Sequence, residues 1–152
     1  RDAGAYAAIS DVVAYFDWLG GEVSDETEPR KRIEAAGKAI HNYETELTNL
    51  LINGADDLPG LRDLSGVTIL SGADNPAREG TVSFAVEGIP SPETVTTLKE
   101  RGIRTHTRKA DHYSGNILSP LNLPDCIRIS FCHYNTRLEI AQALRVIKEI
   151  IG

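Results

Sequence analysis

Ile127-Arg128-Ile129-Ser130-Phe131-Cys132, with Thr136-Arg137-Leu138-Glu139 shortly after it, is the stretch that decides the fold. Apolar and polar residues alternate along 127–132, so this segment reads as a strand with Ile127, Ile129 and Phe131 on its buried face and Arg128, Ser130 and Cys132 on the other. Thr136 and Glu139 then have the spacing of a capping box, in which each side chain accepts a hydrogen bond from the other residue's backbone N–H at a helix start. Leu144, Ile147 and Ile151 carry the helical period onward. A period of two that gives way to a period near 3.6 describes a sheet strand feeding a helix that can lie on it.

Working outward, the same two periods recur. Ile103 to Thr107 reads as a strand. Before it lies a helix with Ser91 as its cap, Pro92 at its first position, Val95 and Leu98 facing inward and Gly102 at its end. Val82, Phe84 and Val86 alternate as a half-buried strand, and Val67 to Leu70 form a short β-rich run after Leu58-Pro59-Gly60. The segment from His106 to Leu123 has no period and reads as a long loop, a feature that is more often functional than decorative inside a compact domain.

The first third of the chain is helical. Ile9, Val12, Val13, Phe16 and Leu19 make one apolar stripe that Gly20-Gly21 should end. After an acidic connection from Glu22 to Glu28, Ile33, Ala36, Ile40, Tyr43, Leu47, Leu50 and Leu51 make a second stripe closed by Asn53-Gly54. The expected fold is therefore α+β: a small, mostly antiparallel sheet covered by helices, preceded by two long helices. Residues 1–54 form the helical segment and residues 55–152 the α+β domain.

Composition narrows the function classes. With 16 Lys and Arg against 22 Asp and Glu, the chain carries a net charge of −6, which argues against a general affinity for nucleic-acid backbone or an anionic membrane. No run approaches the roughly 18 apolar residues of a membrane span, and the sequence does not open on a signal-peptide pattern, so the expected location is the cytoplasm. Cys126 and Cys132, on one extended strand about 20 Å apart, are expected to be free thiols and buried fillers. The chain contains no methionine and starts at Arg1 inside a helical pattern, as a piece of a longer protein would.

Arg128-Ile-Ser-Phe-Cys-His-Tyr-Asn-Thr136, followed by Glu139-Ile140, resembles the closing signature of class V aminotransferases, the group that contains cysteine desulfurases, selenocysteine lyases and isopenicillin epimerase-like proteins. Gly37-Lys38-Ala39-Ile40-His41-Asn42-Tyr43-Glu44, Gly80-Thr81-Val82-Ser83-Phe84, and the run from Gly102-Ile103 towards Ser114-Gly115 resemble the same group, in the same order. The resemblance implies the C-terminal small domain of a fold-type I pyridoxal-phosphate enzyme, a homodimeric transferase, lyase or epimerase acting on an amino acid. It also implies that the cofactor is held by a lysine in a large domain preceding this region. None of Lys31, Lys38, Lys99, Lys109 and Lys148 sits in such a context, so this chain alone is expected to be inactive.

By the same resemblance Arg128 binds the substrate α-carboxylate, a task that suits a planar guanidinium. His112-Tyr113-Ser114-Gly115 aligns with the desulfurase loop and puts a serine where the persulfide-forming cysteine belongs. Desulfuration is therefore disfavoured, because a hydroxyl cannot accept sulfur as a thiolate does. Arg104, His106, Arg108, Lys109 and His112 concentrate positive charge in an acidic chain, either as part of a substrate site or as an ordinary solvated loop. Arg108 and Lys109 are nearest to where the resemblance implies a second substrate-contacting arginine, and the sequence does not choose between them. A metal set drawn from His106, His112, Cys132 and His133 fits no compact zinc spacing. The competing reading for the whole chain is a stand-alone module that binds a small ligand or mediates assembly.

Overall fold

The computed structural model describes residues 2–152. The chain forms two compact units, one ending at Tyr43 and the other spanning Glu44–Gly152.

In the first unit α1 runs from Ala3 to Val23, with the Asp2 side chain accepting from the Ala5 backbone N–H at its start. The helix passes straight through Gly20-Gly21, where the sequence predicts its end. The reason is packing: a Cβ on Gly20 would lie 2.0 Å from the Arg32 carbonyl oxygen, so the missing side chain lets two backbones touch. Ser24 closes the helix by donating from Oγ to the Gly20 carbonyl at 2.7 Å. The apolar stripe is only partly covered within this unit, since Phe16 and Leu19 are half-buried while Ile9, Val12 and Val13 are exposed.

The second long helix, α2, spans Pro29–Asn53, and its C-terminal turns belong to the second unit, where Leu47, Leu51 and Ile52 are buried. Gly54, at φ +110°, ends it as expected and opens a minimal hairpin of β1 (Gly54–Ala55) and β2 (Leu58–Pro59).

The main sheet consists of β3 (Val67–Ile69), β4 (Thr81–Val86), β5 (His106–Lys109) and β6 (Asp125–Ser130), in the order β3-β4-β6-β5. Every pairing is antiparallel, which extends the expected mostly antiparallel sheet to the whole of it. On one face Val82 lies opposite Ile129 and Phe84 opposite Ile127, and all four are buried. Against this face pack α3 (Ser91–Glu100), through Thr94 and Leu98, and α5 (Arg137–Ile151), through Ile140, Leu144 and Ile147. Each fully buried side chain of this set contributes about 1.5–3 kcal/mol relative to exposure.

Three local expectations shift. Ser91 is not the cap of α3: Pro90 holds that position, and the Ser91 N–H donates instead to Asp125 Oδ1 at 3.1 Å, so a carboxylate from the start of β6 caps the helix from across the sheet. Val95 is only half-buried, and Thr94 takes the inward place. The strand expected at 103–107 begins at His106, because Ile103 N–H is spent on the Leu98 carbonyl in closing α3 around Gly102. The expected loop from 106 is consequently a strand as far as Lys109, and farther on it contains one helical turn, α4 (Gly115–Leu118). The capping box stands as read: Thr136 Oγ1 accepts from the Glu139 N–H, and Glu139 Oε2 accepts from the Thr136 N–H at 2.7 Å.

Candidate substrate site

The helices cover one face of the sheet; the other face holds the site. Alternation along β6 sends Ile127 and Ile129 into the core and leaves Cys126 and Arg128 on the opposite side. Because β6 is an inner strand, Arg128 has a neighbour on each side, Ser83 of β4 and His106 of β5. Cys126 is flanked in the same way by Arg108 of β5. Leu118 of α4, with Leu70, Cys126 and Leu123, forms a small apolar cluster that roofs part of this face.

Between that roof and the sheet lies a cavity of about 470 Å³, the size of a small-molecule site. Arg128, Arg108 and Ser114 line it, as do Arg78, Ser83 and Cys126. Three of its lining residues are arginines and none is a carboxylate, a local inversion of the chain's acidic balance. Arg128 is half-buried, and its Nε is fully buried with no hydrogen-bond partner among the described residues. A buried guanidinium donor normally finds a partner, and the Nε of Arg78 in the same wall is buried and unpartnered in the same way.

Arg78 was not legible as a site residue. Its guanidinium donates to the carbonyl oxygens of Leu70, Gly72 and Thr81 and so ties the β3–β4 connection over the cavity. Burial pushes its pKa down. It sits in the aperiodic turn Asn75-Pro76-Ala77-Arg78, where no sequence pattern marks it.

Of the other expected site residues, Lys109 is exposed and lies opposite Asp125, with its side chain on the helix-covered side of the pairing, and it does not line the cavity. His112 is exposed, with its ring centroid 3.9 Å from that of Tyr113, and stands outside the lining as well. Asp111 shapes the turn that delivers Ser114: Oδ1 accepts from the Tyr113 N–H at 2.9 Å and the Ser114 N–H at 3.2 Å, and these two bonds hold its carboxyl below the usual range. Both cysteines are free. Cys126, read as a core filler, is buried but also forms part of the cavity wall. Burial pushes its thiol pKa up, aided by the Asp125 charge and opposed by a Ser83 hydrogen bond and by Arg108 and Arg128. A neutral thiol is a weak nucleophile. Among the described residues no three His, Cys, Asp or Glu side chains converge as a metal-holding group.

The fold and cavity together define an α+β domain with three arginines lining a cavity on the open face of its sheet. The family model for class V aminotransferases matches residues 32–143, well over half of the sequence, and the chain belongs to that family. The family depends on pyridoxal phosphate. A probable cysteine desulfurase from Treponema pallidum is 32% identical over 73 residues, covering 48% of this chain and 18% of its own length. One from Staphylococcus aureus is 25% identical over 111 residues, covering 73% of this chain and 25% of its own. The apo structure of a cysteine desulfurase from Thermococcus onnurineus superposes with a TM-score of 0.66 at 22% identity over 81% of this chain, and shows the same fold. The chain spans about a quarter or less of the length of these curated relatives, and 28% of the Thermococcus structure.

Pyridoxal phosphate is carried on a lysine amine, and no lysine is among the residues that line the cavity. The lining therefore offers no amine to carry the cofactor.

Proposed function

We propose that this chain is the C-terminal, substrate-recognising domain of a pyridoxal-phosphate-dependent enzyme acting on an amino acid, with Arg128 binding the α-carboxylate. The observation that carries the reading is the half-buried Arg128 on an inner strand, in the wall of a cavity lined by no carboxylate. A carboxylate placed there would accept two parallel hydrogen bonds from the guanidinium and gain geometric definition as well as energy. Ser114 and Arg108 stand beside it in the lining. The cofactor, when bound, supplies an electron sink for the carbon next to the amine. This chain's part is to orient the acid end so that the amine is presented to it.

On this reading residues 1–54 join the domain to a preceding lysine-bearing domain, the chain by itself does not turn over substrate, and the complete enzyme is a cytoplasmic homodimer. Ser114 cannot relay sulfur, and the buried Cys126, its thiol pKa pushed up, is poorly suited to replace it, which favours transamination, elimination or epimerisation over cysteine desulfuration. No helix among the described residues is long and apolar enough to cross a membrane.

In the complete enzyme, Arg128→Ala should leave the cofactor's own absorption spectrum intact and weaken amino-acid binding by about 2–5 kcal/mol, as for a buried charge that loses its partner. Unaltered affinity would remove the assignment. Persulfide formation at a rate independent of added thiols would contradict the role given to Ser114.

A further inference from the structure

We infer that the cavity is built for an amino acid with a second acid group on its side chain, the α-carboxylate going to Arg128 and the side-chain anion to Arg108. The inference rests on the reading of Arg128 given above and extends it to the substrate class.

One carboxylate would balance only one of the guanidinium groups in this cavity. Guanidinium groups stay protonated at any pH the protein meets, so the wall brings three fixed positive charges together with no acidic residue among its lining. They are not equivalent. Arg78 already donates to three carbonyl oxygens, and it serves as a strut. The Arg108 side chain makes no hydrogen bond or ion pair with a described residue, although it is half-buried in the same wall as Arg128. A bidentate carboxylate on Arg128 would consume one charge and leave Arg108 uncompensated.

The register fixes how far apart the two free guanidinium groups start. Arg128 lies opposite His106, and Arg108 is two residues along the same strand, so the two arginines are diagonal neighbours on one face. Diagonal positions on antiparallel strands are about 7–8 Å apart, and both side chains are long and jointed. A short amino diacid, whose carboxylates are separated by two or three carbons, can reach one guanidinium with each end. A neutral or cationic side chain would leave Arg108 facing apolar wall or a second positive charge. The diacid is therefore favoured by attraction and its competitors are disfavoured by repulsion.

The test compares side chains that differ in charge and hardly in shape. Backbone amide shifts of β5 and β6 are followed by NMR while the chain is titrated with L-glutamate or L-glutamine, and with L-aspartate or L-asparagine, at constant ionic strength. In the native chain at least one acid should bind about tenfold tighter than its amide, a ratio equal to 1.4 kcal/mol. Arg108→Gln should bring that ratio close to one, while Arg108→Lys, which keeps the charge, should retain part of it. Arg128→Gln should weaken acid and amide together and preserve the ratio. Equal affinities in both pairs for the native chain, or a ratio that survives Arg108→Gln, would overturn the assignment of the substrate class even where Arg128→Gln still weakens both ligands. If Arg128→Gln alters neither ligand, or if none of the four amino acids binds, the underlying reading of Arg128 falls as well.

Discussion

Replacing Arg78 offers a quantitative check on how the roof of the cavity is held. Its guanidinium is the shared donor for the carbonyl oxygens of Leu70, Gly72 and Thr81, so one side chain fastens both ends of the 70–81 connection. The bond to Leu70 is part-buried at 3.0 Å, that to Thr81 is long and exposed at 3.4 Å, and Leu70 itself is only 6% exposed. Hydrogen bonds from charged donors contribute roughly 1.5–3 kcal/mol each when shielded, and the two exposed ones add much less. Arg78→Ala should therefore lower the unfolding free energy by about 2–3 kcal/mol. Arg78→Lys should lose most of the same amount, because a point charge reaches one carbonyl and a planar fork reaches several. Urea unfolding followed by far-ultraviolet circular dichroism measures this as a fall in midpoint at constant slope. If Arg78→Ala unfolds within about 0.5 kcal/mol of the native chain, the strut is not structural and this account of the roof is wrong.

Three further outcomes follow from local structure. Thr136→Ala should cost about 0.5–2 kcal/mol by removing the hydroxyl half of the capping box, as read by the same urea titration, whereas Thr136→Ser should cost little. The Glu139 carboxyl is held below its usual range mainly by the Thr136 N–H, so the unfolded chain binds its proton first as pH falls. Its stabilisation is thus complete above the unfolded pKa of about 4.3 and is lost as pH falls through the lower folded value. The acid limb of the native stability profile should accordingly be steeper than that of Glu139→Gln, and identical limbs would refute the assignment. Gly20→Ala should destabilise the α1–α2 contact by about 1–3 kcal/mol, because the added methyl meets the backbone of Arg32 rather than a yielding side chain. Faster amide exchange in residues 12–40 of that variant would report it.

What could be read from the sequence, and what could not, divides along a physical line. Signals carried by neighbours in the chain were legible: the alternation of β6, the box at Thr136 and Glu139, and the positive φ at Gly54 all arise within a few residues of one another. Features that depend on a distant partner were not. Gly20 looks like a helix end until Arg32 is known to press against it. Ser91 looks like a cap until Asp125 is known to do that work. The site divides in the same way. Arg128 stood out because its strand was unambiguous and its motif matched a family. Arg108 and Lys109 could not be separated, because adjacent residues on a strand point to opposite faces and the choice depends on pairing with Cys126 or Asp125. Arg78 gave no signal, since its role comes wholly from three carbonyls brought near it by the β3–β4 turn.

The position of Arg128 on an inner strand also ties the durability of recognition to that of the fold. Its two strand neighbours, Ile127 and Ile129, are buried under the helices, and hydrogen bonds to β4 and β6's other partner β5 hold the backbone on both edges. A segment so enclosed opens, as a rule, only when the whole domain does. Loops around the cavity can therefore drift, and thereby alter which side chain is admitted, while the point of attachment for the acid group stays where it is. Variation among related proteins would then be free to retune the ligand by changing the rim without loosening the grip at its base.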